Sequence, residues 1–92
     1  MKVQNLEGYR GNNVVNQFVI TDGDNVYFQS YRSLVAKREN GKITLGADWD
    51  YSRTTMKYLS KWLYDYCGYD MNKRDIEKAI KSGKFEYDEE MA

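Results

Sequence analysis

Ninety-two residues suit one domain and are too few for two, since compact domains rarely fall below about 50 residues. Hydrophobic residues make up 41%, charged residues 30% and aromatics 15%, with no proline, so the chain belongs with folding sequences rather than low-complexity or disordered ones. Fourteen bases balance fourteen acids, histidine is absent and Cys67 is the sole cysteine, which excludes disulfide scaffolds, zinc fingers, histidine-based triads and the commonest transition-metal sites.

The opening residues Met1-Lys2-Val3-Gln4-Asn5-Leu6-Glu7 hold no apolar run resembling a signal peptide. No later stretch approaches the roughly 20 apolar residues that span a bilayer, so a cytoplasmic location without a membrane partner is expected. A lone thiol fits a reducing compartment. Val14–Thr21 is rich in β-branched and aromatic residues, and Asp22-Gly23-Asp24-Asn25 supplies residues that tolerate the positive φ of a hairpin turn. A second strand follows over Val26–Tyr31, whose alternation places Val26, Phe28 and Ser30 on one face and Tyr27, Gln29 and Tyr31 on the other. Ser33–Arg38 continues either as a bent extension or as a third strand. Asn40-Gly41 then precedes Lys42–Leu45, a strong hairpin signal because both central residues of a type I′ turn need positive φ.

The period changes after Ser52. Met56, Leu59, Leu63 and Tyr66 recur at spacings of three and four, flanked by Trp62 and Cys67, which predicts an amphipathic helix over Ser52–Cys67. Ser52 or Thr54 can cap its start, Asp50 lies near the positive end of its dipole, and Gly68 can end it in the left-handed conformation. A second helix is predicted over Lys73–Lys81, with Asn72 as cap, Ile76, Ala79 and Ile80 inward, and Ser82-Gly83 as terminator. Lys84–Tyr87 can form a last short strand or pack Phe85 back onto the sheet. The expected fold is a single α+β domain over residues 1–92, a small antiparallel sheet of three or four strands packed against one long and one short helix. Four acids and no base fall in the last eight residues, leaving fourteen bases against ten acids before them, net +4. The acidic tail, about residues 86–92, is expected to be solvated and frayed.

The chemistry-bearing patterns are sparse. Asp22-Gly23-Asp24-Asn25 opens like a calcium loop, but Val26 and Tyr27 stand where a ligand and a glycine are needed. Asp48 and Asp50 have no third carboxylate at a completing spacing. Cys67 lacks an activating base and lies at a helix C-terminus, whose negative end raises a thiol pKa. Gly8-Tyr9-Arg10-Gly11 lacks the spacing and following helix of a phosphate loop. No enzymatic activity, cofactor or metal is therefore expected.

Surface signals are stronger. At 100° per residue Arg53, Lys57 and Lys61 step only 40° apart, with Ser60 and Tyr64 in the same arc. Such a stripe serves as an ordinary solvated face, follows a phosphate backbone, or meets an acidic protein surface. Nine tyrosines exceed what a core this size can bury, and tyrosine is enriched at protein interfaces.

Phe28-Gln29-Ser30-Tyr31 and the segment Trp49-Asp50-Tyr51-Ser52-Arg53-Thr54-Thr55-Met56-Lys57-Tyr58 resemble a group of short bacteriophage and prophage proteins in which F-x-S-Y precedes W-D-Y-S-x-T-T-x-K-Y at the entry to a helix. The resemblance covers about residues 26–67 and implies a phage origin; it brings no catalytic residue or cofactor. Physically, Trp49 and Tyr51 can staple the first helical turn, or Trp49, Tyr51 and Arg53 can form an exposed binding edge. Two functions are carried forward. One is a phage-encoded, non-enzymatic module that binds and inhibits or modulates a host protein, such as a CRISPR or other antiviral defence component, through Tyr27, Tyr31, Arg53, Lys57, Lys61 and Tyr64. The alternative is a small nucleic-acid-binding accessory protein using the basic helix face with Tyr31 or Tyr64 as stacking platforms.

Overall fold

Two short turns organise the middle of the chain, and two helices close it. The computed structural model describes residues 1–91, in the order β1 (Lys2–Glu7), β2 (Asn13–Asp22), β3 (Asn25–Ser30), β4 (Ser33–Glu39), β5 (Lys42–Gly46), α1 (Arg53–Cys67), α2 (Lys73–Ser82) and β6 (Glu86–Asp88). The sheet runs β1-β2-β3-β4-β5-β6. Its first five strands form an antiparallel meander, and β6 returns through both helices to lie parallel to β5. At the β4–β5 turn Asn40 and Gly41 both take positive φ, 53° and 78°, the backbone that a type I′ hairpin requires.

The fold is thus α+β, but the sheet has six strands and mixed direction where three or four antiparallel strands were expected. Both additions are edge strands with little hydrophobic signature. β1 buries only Leu6, and a register shift between Asn5 and Glu7 interrupts its alternation. β6 exposes all three side chains and is held by backbone pairing. The acidic segment contributes to this edge while its acids stay exposed. Glu86–Asp88 supplies β6, Lys42 pairs with Glu86 at 3.1 Å, and Met91 is buried; Ala92 lies outside the described residues.

Ladder register fixes which face of the sheet is covered. Val19 and Phe28 pair across β2 and β3, and Phe28 and Ala36 across β3 and β4; all three are buried. α1 lies over β3 and β4, where Trp62 stacks on Phe28 with ring centroids 6.4 Å apart. Leu59, Trp62 and Leu63 are each fully buried, a contribution of about 1.5–3 kcal/mol for each leucine, with Trp62 at least comparable. Trp62 Nε1 finds no hydrogen-bond partner among the described residues, so packing rather than polar pairing holds the ring. Ile76 and Ala79 join α2 to the same core, and Tyr69 meets Phe85 edge-on at 5.4 Å. The opposite face carries the half-buried Phe18, Ile20, Tyr27 and Leu34, and no helix among the described residues covers it.

Helix boundaries follow local chemistry. Ser52 is extended and accepts a hydrogen bond from the Thr55 amide, while Gly68 ends α1 at φ 75°. Asn72 and Asp75 form a reciprocal capping box on α2. No helix among the described residues is long and apolar enough to cross a membrane.

Candidate functional site

The connection between β3 and β4 is anomalous. Ser30 pairs with Ser33, so Tyr31 and Arg32 alone make the turn, and Tyr31 takes φ 54°. Turns of this size normally use Gly, Asn or Asp at a positive-φ position; an L-residue with a bulky side chain costs about 1–2 kcal/mol in left-handed geometry. The surroundings hold the conformation in place. Tyr31 N–H donates to the Asn16 carbonyl at 2.7 Å, and Gln29 Nε2 donates to the Tyr31 carbonyl at 2.8 Å. The result is a tyrosine ring 60% exposed at the tip of a hairpin.

Beside this turn a cleft of about 540 Å³ separates the hairpin from the start of α1, lined by Ser30, Tyr31, Arg32, Ser33, Val35, Asp48, Tyr51, Ser52 and Thr55. Tyr51 is 80% exposed. Ser52 Oγ accepts from the Thr55 amide and donates to Thr55 Oγ1, each at 3.1 Å. The first turn of α1 contains no acidic residue, in contrast to α2, where Asp75 faces the helix start. Neither Arg32 nor Asp48 forms an ion pair among the described residues. Three of the buried polar residues, Gln17, Ser30 and Thr55, belong to this end of the molecule: Ser30 and Thr55 line the cleft, and Gln17 pairs with Ser30 across the ladder. Gln17 Oε1 has no partner among the described residues, an omission worth about 1–3 kcal/mol.

The motif segment divides between two roles. Trp49 is buried in the core, whereas Tyr51 and Arg53 are exposed, so the tryptophan packs and its neighbours face outward.

The residues singled out in the sequence fall into three places. Tyr31 is on the cleft rim, and Arg53 opens α1 next to it. Lys57, Lys61 and Tyr64 lie further along α1, where Tyr9 from the β1–β2 loop covers the lysines: its ring centroid is 5.8 Å from Lys57 Nζ and 5.7 Å from Lys61 Nζ. Tyr9 also donates its hydroxyl to the Lys57 carbonyl at 3.1 Å. Lys61 is half-buried and paired with Asp65, so its charge is spent locally, while Lys57 and Tyr64 remain exposed. Desolvation raises the Tyr9 pKa above its ordinary value, against an opposing pull from Lys61. Tyr27 is elsewhere, on the face of the sheet without helices. Its half-buried hydroxyl donates to Glu39 Oε2 at 2.7 Å, a bond that raises the Tyr27 pKa and lowers that of Glu39. The exposed basic stripe thus consists of Arg53 and Lys57, without Lys61.

Tyr9, Arg32 and Tyr51 were outside the residue set drawn from the sequence, although Tyr51 stood in the motif considered as a binding edge. Tyr9 sits between two glycines in a segment read only as a failed phosphate loop. Among the described residues no group of three Cys, Asp or Glu is placed to hold a metal ion.

No curated protein and no solved structure matches the chain. The profile of a family of unknown function, DUF8033, matches residues 1–78, a span that includes the five meander strands, the cleft and all of α1, and the chain belongs to that family.

Proposed function

We propose that this protein is a non-enzymatic protein-binding module whose contact surface is the hairpin tip and cleft rim built by Tyr31, Tyr51, Arg32 and Arg53. The observation that carries the reading is Tyr31. A tyrosine held in left-handed backbone geometry at a turn where glycine would be free of strain is a local cost without a folding benefit, and such costs concentrate at functional sites. Two exposed tyrosines flanked by two arginines also have the composition of interface hot spots. Lys57 and Tyr64 extend the surface along α1.

The resemblance to short phage and prophage proteins supports a finer proposal: a phage-encoded protein acting in the host cytoplasm, where it inhibits or modulates a host protein, an antiviral defence component such as a CRISPR effector being the leading class. The nucleic-acid alternative is disfavoured by the pairing of Lys61 with Asp65, because fewer free cations neutralise fewer phosphates.

The test compares tagged wild type with a Tyr31→Ala/Tyr51→Ala variant in capture from host lysate, beside a salt titration against random-sequence oligonucleotides. A host protein retained by wild type and lost by a folded variant supports the reading. Submicromolar oligonucleotide binding at physiological salt, with a log–log slope for about four or more phosphates, replaces it with the alternative.

A further inference from the structure

We infer that the cleft beside the Tyr31 turn receives an acidic peptide segment of the protein partner, its carboxylate seated between Arg32 and the first turn of α1. This deepens the protein-binding reading and rests on it.

The cleft is rich in donors. Its lining brings the Ser30, Ser33, Ser52 and Thr55 hydroxyls and Arg32 together. Next to it, Thr55 N–H is taken by Ser52 Oγ and Met56 N–H by the Ser52 carbonyl, which leaves the amides of Arg53 and Thr54, outside the lining itself, as the open donors of the helix start. The Thr55 hydroxyl accepts from Ser52, so its own proton is available. Ser30 is 5% exposed, lies on the helix side of the sheet and lines the cleft. Its hydroxyl makes no hydrogen bond among the described residues. Arg32 adds a cation without an ion-pair partner among the described residues. Asp48 and Asp50 precede the helix, but its first turn carries no acid, and an oxyanion on the open amides would complement the positive end.

One acceptor bears on the kind of anion. Asp48 lines the cleft and has no ion-pair partner among the described residues. A peptide brings backbone N–H groups for that carboxylate together with a side-chain carboxylate for the donors. Inorganic phosphate has no amide N–H to offer Asp48, so the repulsion between the two anions is not offset by such a contact. The exposed rings of Tyr31 and Tyr51 flank the entrance, where they can clasp an extended backbone.

The probe is the blocked peptide acetyl-Ala-Asp-Glu-Ala-amide, titrated into uniformly ¹⁵N-labelled protein. Its Asn/Gln counterpart and inorganic phosphate form separate arms. Saturable shifts are expected at the amides of Arg53, Thr54 and Ser33, weakened on the order of fivefold or more for the Asn/Gln peptide and for Arg32→Gln, as loss of a charge-assisted contact predicts. Arg32 is an exposed turn residue, so unchanged resonances elsewhere certify the variant's fold. Absence of saturable shifts, or equal affinity in Arg32→Gln, overturns the inference. Phosphate binding tighter than the acidic peptide overturns it in favour of a phosphorylated ligand. Peptide binding without any partner dependent on Tyr31 and Tyr51 retires the protein-binding reading alone. A captured partner without peptide binding retires the acidic-peptide site alone.

Discussion

Tyr9 and Lys57, 48 positions apart, are joined twice: the phenol donates to the Lys57 carbonyl at 3.1 Å, and the lysine ammonium stands 5.8 Å from the same ring. The β1–β2 loop is thereby tied to the outer side of α1. Tyr9→Phe removes the hydrogen bond and keeps the ring, for an expected loss of about 0.5–1.5 kcal/mol. Tyr9→Ala also removes the cation–π contact, adding about 0.5–1 kcal/mol. Urea unfolding of both variants checks the order, and equal stability of wild type and Tyr9→Ala would discard the tie.

In the core, Leu59→Ala is expected to cost about 2–5 kcal/mol and Trp62→Ala about 3–5 kcal/mol, enough to leave a chain of this size largely unfolded at 25 °C. Circular dichroism with urea titration measures both. A cooperative transition at the wild-type midpoint for either variant contradicts the packing of α1 on β3.

Legibility in the sequence tracked how local each determinant is. Asn40-Gly41 announced its turn because both residues favour the positive φ that the turn uses, and Ser52 and Gly68 bracketed α1 because capping is a contact between near neighbours. Strand β1 was illegible because Leu6 alone of its six side chains is buried, so no apolar alternation marks it. β6 depends on a parallel pairing with β5 created only after both helices have folded. The site divides likewise. Tyr31 was visible as a strand-end tyrosine, but a Tyr-Arg pair carries no turn signal, so its left-handed backbone emerges only from the closure of β3 on β4. The alignment of Arg53 and Lys57 followed from helical geometry, whereas the pairing of Lys61 with Asp65 and its cover by Tyr9 are choices that periodicity does not make.

Gly46 tests whether the tail is part of the fold. A Cβ added there would lie 2.6 Å from the Met91 carbonyl oxygen and 3.0 Å from that of Leu34, and both obstacles are backbone. Gly46→Ala is expected to cost about 1–3 kcal/mol through overpacking. In a chain ending at Asp88 the Met91 contact is gone and the same substitution should cost less. A double-mutant cycle by urea unfolding reads the coupling; no coupling would mean that residues 89–91 do not pack on β5.

Cys67 gives the alkaline limb of stability a specific origin. Burial pushes its thiol up to about 11, with Arg38 pulling the other way. The unfolded thiol loses its proton near about 8.5, so above that pH the unfolded state binds fewer protons than the folded one and stability falls as pH rises toward 11. Below about 8.5 both states are protonated and the contribution is constant. Cys67→Ala should flatten the decline between pH 8.5 and 11 relative to wild type, and iodoacetamide should alkylate native Cys67 much more slowly than the urea-unfolded thiol. Equal alkylation rates would place the sulfur in solvent.

The sharpest separation of folding from function is at Tyr31. Glycine adopts φ 54° without the Cβ clash that tyrosine bears, and the exposed ring contributes little to the core. Tyr31→Gly is therefore expected to keep the fold and to leave stability unchanged or raise it by up to about 1–2 kcal/mol, the entropy of a more flexible unfolded chain setting the lower end. Partner binding should move the opposite way, losing on the order of 2 kcal/mol or more if the ring is a hot spot. Arg32 and the cleft donors remain, so acidic-peptide shifts at Arg53 and Thr54 should persist in weakened form. The measurements are urea unfolding, partner affinity and the ¹⁵N spectrum on one preparation. A variant that loses stability shows the left-handed tyrosine to be a packing residue, and one that gains stability with undiminished affinity removes Tyr31 from the binding surface.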